Sequence, residues 1–120
     1  MNRPEQAIQR SCVDFLRMCA PREGFHYNAI NPVPAKSKAV AGISKAMGLQ
    51  PGTPDLLMVW KGRAIFVEFK APGGRLSPAQ RDCHAGLMLA GALVHTVTSL
   101  DDFIDFLSTI GIPLRARAAA

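Results

Sequence analysis

Two acids and a lysine stand in stretches of this chain that otherwise read as core. Asp55 follows Pro54 at the head of the apolar run DLLMVW, and Glu68 and Lys70 close the next run, AIFVEFK. Lys61-Gly62-Arg63 joins the two, a connection short enough for a β-hairpin. Strand side chains alternate between faces, so Glu68 and Lys70 point the same way, about 7 Å apart along the strand. A hairpin sets the start of the first run beside the end of the second, which brings Asp55 against both. Two carboxylates held close repel unless positive charge lies between them. Lys70 supplies part of that charge, and a hard divalent cation taking oxygen ligands would supply the rest. Such a cation lowers the pKa of its bound water and polarises a nearby ester. The plainer reading is a surface ion-pair cluster, worth about 0–1 kcal/mol. Against it stand Ile65, Phe66, Val67 and Phe69, among which idle charge is costly.

The elements around these residues are legible from spacing. Pro4 suits the first turn of a helix, and Ile8, Cys12, Phe15, Leu16 and Cys19 repeat at helical intervals up to Pro21. FHYNAI, residues 25–30, reads as a short strand. The stretch from 31 to 51 holds three prolines, two glycines, Lys36, Lys38 and Lys45, and reads as a mobile basic segment with a helical turn or two near Ala39–Met47. After the two strands and the loop APGGRL, Ser77-Pro78-Ala79-Gln80 carries the marks of a helix start, with Ser77 as cap and Gln80 as its capping-box partner. A strand over 92–98 follows, and Ser99 with Asp102 opens a last helix. Residues 1–112 therefore form a single α/β domain with a mixed sheet, and 113–120 a frayed basic tail.

Composition sets limits on the classes open to it. A chain of 120 residues, 48% hydrophobic and 19% charged, is an ordinary globular domain. A chain of this size buries roughly two-thirds of its unfolded surface. The formal net charge of +5 favours a polyanionic partner. No apolar run is long enough for a membrane span, and MNRPEQAIQR is not a signal peptide. Cys12, Cys19 and Cys83 lack metal-ligand spacing and read as reduced core residues of a cytoplasmic protein. His26, His84 and His95 lack ligand spacing to one another and read as packing or solvent residues. Trp60 and Tyr27 read as core rather than as stacking platforms.

Pro54-Asp55 followed by Glu68-Phe69-Lys70 resembles the PD-(D/E)xK nuclease signature. The longer string GTPDLLMVWKGRAIFVEFKAPGGRLSPAQ resembles the virus-type replication-repair nuclease (VRR-NUC) family more closely than other branches. In that family a Gly-x-Pro-Asp turn, a Glu-x-Lys strand and a Leu-Ser-x-x-Gln helix start recur in this order. The accessory DNA-binding domains of larger members are missing from this chain. The resemblance implies a restriction-endonuclease-like sandwich, a central mixed β-sheet flanked by helices. It implies Mg²⁺, with Mn²⁺ able to substitute, bound by Asp55, Glu68 and the backbone carbonyl of Phe69, and no organic cofactor. Lys70 would orient or deprotonate the attacking water. Glu5 would match an additional acid near the metal, and Gln80 a glutamine that supports the lysine or the water.

The implied activity is that of a Mg²⁺-dependent endodeoxyribonuclease acting on junctions, flaps or other branched DNA in repair, recombination or phage replication, as a homodimer. From the residues alone, the competing readings are that Glu5 is an acid favoured by a helix N-terminus and Gln80 a capping residue. Lys36, Lys38, Lys45, Lys61, Arg63, Arg75 and Arg81 flank the proposed site in sequence and are candidates for phosphate contacts. A non-catalytic nucleic-acid-binding module on the same fold is the competing reading. It needs cations but gains nothing from clustered carboxylates. A small metabolic α/β enzyme finds no Gly-rich phosphate loop or nucleophile elbow to support it.

Overall fold

The computed structural model describes residues 3–30 and 37–115. Four helices and four strands alternate as α1 (Arg3–Cys19), β1 (Phe25–Ala29), α2 (Lys38–Ala46), β2 (Leu56–Trp60), β3 (Arg63–Phe69), α3 (Pro78–Leu89), β4 (Leu93–Val97) and α4 (Leu100–Thr109). The sheet order is β1-β2-β3-β4. β2 is antiparallel to both of its neighbours, β1 and β3, and β4 runs parallel to β3. This is the mixed α/β architecture expected, with strand ends within a residue or so of the sequence pattern.

The register of the central hairpin comes from its turn. Trp60 pairs with Arg63, so Lys61 and Gly62 are the two loop residues, with φ of 49° and 76°. Positive φ at both positions is the type I′ geometry whose twist matches that of the strands, and Gly62 adopts it freely. From that turn the pairing runs down to Leu56 against Val67. The main chain continues it one step, Asp55 N–H donating to Val67 O at 3.1 Å. Asp55 and Glu68 thus come to lie side by side at the far end of the sheet.

Alternation then sorts the residues of β3. Ile65, Val67 and Phe69 join Leu56, Met58 and Val97 in a core closed by Cys12, Phe15, Leu16 and Cys19 of α1 and by Phe103 and Leu107 of α4. Glu68 turns to the other face, towards α3. Trp60 and Tyr27 are half-buried against the core. Cys12 and Cys19 are buried as expected, but Cys83 is only half-buried. It lines an apolar cavity of about 510 Å³ with Gln50, Pro51 and Leu87.

The helical turn or two expected near Ala39–Met47 is a nine-residue helix, and part of the tail expected to fray is held. Ser37 caps α2, its hydroxyl accepting from Val40 N–H. The helix buries none of its residues and packs against no other described element. Lys36 lies outside the described residues. Residues 113–115 do not fray: Ile112 is buried, and Arg115 donates from its backbone to Cys19 O and from Nε to Ala20 O, both at 2.7 Å. These bonds satisfy carbonyls that the end of α1 leaves open. The remainder of the expected tail, 116–120, lies outside the described residues. No helix among the described residues is long and apolar enough to cross a membrane.

One glycine locks the approach to the site. Gly52 has φ of +75°, and a Cβ there would overlap the carbonyl of Ala79 in the first turn of α3. The loop before Pro54-Asp55 therefore rests directly on α3. Gly52→Ala is expected to lower stability by about 2–4 kcal/mol, from backbone strain and overpacking together. Urea and thermal melts check this, and a neutral substitution would show that the loop does not pack there.

Candidate active site

Asp55 and Glu68 are 6% and 2% exposed, and no apolar neighbour compensates a buried carboxylate. Their partners are therefore the site. Asp55 Oδ2 accepts from the main-chain N–H of Phe69 at 2.8 Å. Glu68 hydrogen-bonds to Asp55, and its pKa is pushed up from 4.5 to about 9. Burial is the main cause, followed by the bond to Asp55 and the charge of Asp55. Lys70 opposes the shift and Glu5 adds to it. Burial and the neighbouring acid thus hold Glu68 towards its protonated form.

Lys70 stands one residue beyond β3. Its backbone N–H donates to Val97 O at 3.0 Å, extending the sheet pairing. Its Nζ lies 3.7 Å from Oε1 of Glu5, both side chains largely buried. Glu5 belongs to the first turn of α1, so the structure brings this candidate acid into the site, as counter-ion to the lysine. Phe69 has its ring in the core and only its main chain at the site.

Gln80 reaches the site region differently. Its Oε1 accepts from Ser77 N–H at 2.9 Å, and Ser77 Oγ accepts from Gln80 N–H at 3.1 Å. Both arms of the capping box are made, and the side-chain oxygen expected to support the lysine or the water is engaged in the cap. One turn further along α3, His84 is 5% exposed and sets Nε2 3.1 Å from Glu68 Oε1. Burial lowers its pKa, Asp55 works against that and Lys70 with it, which keeps the ring neutral. The expectation of an ordinary packing histidine is corrected here. The available signal was its position four residues after Gln80, on the same stripe of a helix whose start was already placed.

The cationic candidates divide by position. Arg75 follows the strand that carries Lys70, and Arg81 bonds Leu76 O from the first turn of α3. Lys38 and Lys45 ride on α2, in a segment whose two ends meet where Ile30 N–H donates to Asp55 O at 2.7 Å. Lys61 and Arg63 do not flank the site. They sit at the hairpin turn, about 17 Å along the strands from Asp55, because adjacency in sequence across a hairpin turn means the far end of the sheet. Lys61 instead lies 5.4 Å above the Trp60 ring.

The donor set suits a hard cation. Two buried carboxyl groups lie together, and a divalent ion bound there would supply the positive charge that favours the ionised form of Glu68. Among the described residues no three Asp, Glu, His or Cys side chains converge as a ready-made cage. A cation held by Asp55 and Glu68 would complete its shell with main-chain oxygen and water, as Mg²⁺ commonly does.

A family model described as the VRR-NUC domain matches residues 5–100. Two solved structures share the fold. One, described as a VRR_NUC domain protein, is 18% identical with a TM-score of 0.70, over 91% of this chain and 88% of that one. The other, described as a VRR_NUC domain, is 21% identical with a TM-score of 0.61, over 89% and 97%. No curated protein matches the sequence.

The raised pKa of Glu68 has a measurable consequence for stability. Below about pH 4.5 both the folded and the unfolded chain carry its proton; between there and about pH 9 only the folded chain does. Folded stability therefore falls as pH rises through that window. Melts in chelator at pH 5, 7 and 9 should show the parent losing stability relative to Glu68→Gln, whose amide stays neutral throughout. A constant difference between the two across that range would remove the raised pKa of Glu68 from the account.

Proposed function

The chain belongs to the VRR-NUC domain family, a nuclease-type domain, and on that premise we propose that it is a metal-dependent endonuclease hydrolysing DNA phosphodiesters, with branched DNA as substrate. The observation that carries this reading is the buried Asp55–Glu68 pair, in contact with each other and next to a lysine. Asp55 and Glu68 would hold Mg²⁺ or Mn²⁺, with the carbonyl of Phe69 as a further ligand. When bound, the ion lowers the pKa of a water and polarises the phosphate.

The chain's own residues do the rest. The Phe69 N–H fixes one oxygen of Asp55 and leaves the other for a ligand. Lys70 brings a cation to the edge of the carboxylate pair, where it orients the attacking water and stabilises charge developing on the phosphorus oxygens. Glu5 keeps that ammonium at the site before substrate arrives. Lys38, Lys45 and Arg75 offer phosphate contacts around it, and residues 31–54 contain no acid to oppose them. Two copies acting together would address two strands of a branched substrate.

Nicking of supercoiled plasmid with Mg²⁺, and none with chelator, is the direct test. Asp55→Asn and Glu68→Gln should lose Mn²⁺ affinity by calorimetry and lose nicking with it. Lys70→Ala should keep Mn²⁺ and DNA binding yet lose two to three decades of rate, the loss of about 3–4 kcal/mol of transition-state stabilisation. Retained cutting by all three variants would overturn the reading; DNA binding by the parent without cutting would favour the binding module. On substrate, a four-way junction or flap should be cut faster than duplex of equal length, with light scattering giving twice the chain mass. Equal rates and a monomer would remove branch selectivity from the proposal.

A further inference from the structure

Glu68 has two oxygens, and the structure treats them unequally. Oε1 lies 3.1 Å from His84 Nε2, and both side chains are almost wholly out of water. A buried carboxylate with both oxygens free could turn about its last bond and present either one, or both, to a cation. With Oε1 pinned to α3 it presents Oε2. The pinning partner is itself fixed. α3 starts at a complete capping box, its first turn is braced by Gly52, and His84 is in its second turn, facing the strand.

We propose that His84 is a positioning residue: its Nε2–H donates to Glu68 Oε1 and holds the carboxylate in the orientation that ligates the divalent cation. The inference rests on the reading of Asp55 and Glu68 as metal ligands. When Glu68 ligates a metal it carries no proton, so the hydrogen between Oε1 and Nε2 must come from the imidazole. The histidine thus acts on the ligand and touches neither cation nor substrate. A group that orients a ligand in this way governs metal affinity more than the rate at saturating metal, and its loss typically costs 10–100-fold in affinity.

The test uses the full chain with Mn²⁺ as probe. His84→Leu fills much of the space but cannot donate; His84→Gln can place an amide N–H near the position of Nε2. Calorimetry should show Mn²⁺ affinity 10–100-fold weaker for His84→Leu and recovered to within a few-fold by His84→Gln. The Mn²⁺ concentration giving half-maximal plasmid nicking should move in parallel, while the rate at saturating Mn²⁺ recovers. Melts in chelator check folding, and should the leucine variant fail to fold, His84→Asn, too short to reach Oε1, takes its place. Unchanged Mn²⁺ affinity in His84→Leu overturns the proposal, as does equal weakening in His84→Leu and His84→Gln, which would mean packing alone. A parent that binds no Mn²⁺ overturns the metal reading itself, and this inference with it.

Discussion

Two carboxyl groups are held out of water within hydrogen-bonding reach of each other, and much of the surrounding structure is organised by the cost of keeping them there. Either one alone would be expensive to bury without partners, and together they add mutual repulsion. The fold meets this with one device on each side. A main-chain N–H of β3 holds Asp55, an imidazole from α3 holds Glu68, and the charge of the ammonium that follows β3 favours the ionised form of Glu68. The raised pKa of Glu68 eases the remaining repulsion. Among the described residues no buried side-chain polar atom lacks a hydrogen-bond partner, so the pair is accommodated rather than merely tolerated. A cation bound there therefore meets an arrangement already built.

That arrangement is controlled from a distance. The side-chain period of a strand is two, so a slip of one residue at the Lys61-Gly62 turn would swing Glu68 from the α3 face into the core. β3 is central, paired antiparallel on one side and parallel on the other, and neither edge is free to shift. The Lys70 N–H to Val97 O bond carries the parallel pairing past the last strand residue, which fixes the backbone under the lysine as well. Residues placed by a sheet interior are held more closely than residues on loops can be.

Much of this was legible in the residues. The alternation of AIFVEFK predicted which side chains share a face, and the hairpin-length gap predicted that Asp55 meets Glu68. Ser77-Pro78-Ala79-Gln80 announced its cap through local chemistry alone. What escaped depends on contacts between elements distant in sequence. His84 carries no local signature of its job; it becomes a partner of Glu68 only when α3 is laid across β3. Arg115 looks like part of a frayed tail until the end of α1 presents its carbonyls. Lys61 and Arg63 were placed near the site by closeness in sequence, which a hairpin turn converts into distance. Cys83 was counted as core by residue type, whereas the helix face it occupies decides its burial.

The geometry of Glu5 bears on how the lysine can be both held and available. At 3.7 Å the Lys70–Glu5 separation exceeds the roughly 2.7–2.9 Å of a strong charge-assisted hydrogen bond. The ammonium has three donors, and a contact this long steers it by charge without tying it down. A tight bidentate partner would compete with a phosphate for the same cation. Absence of any counter-charge would leave a largely buried ammonium to relax towards solvent. Glu5 lies between these extremes because its helix is anchored elsewhere: Cys12, Phe15, Leu16 and Cys19 fix the body of α1 in the core, and Arg115 holds its last carbonyls. The first turn then projects Glu5 over the sheet end, close enough to orient Lys70 and far enough to release it.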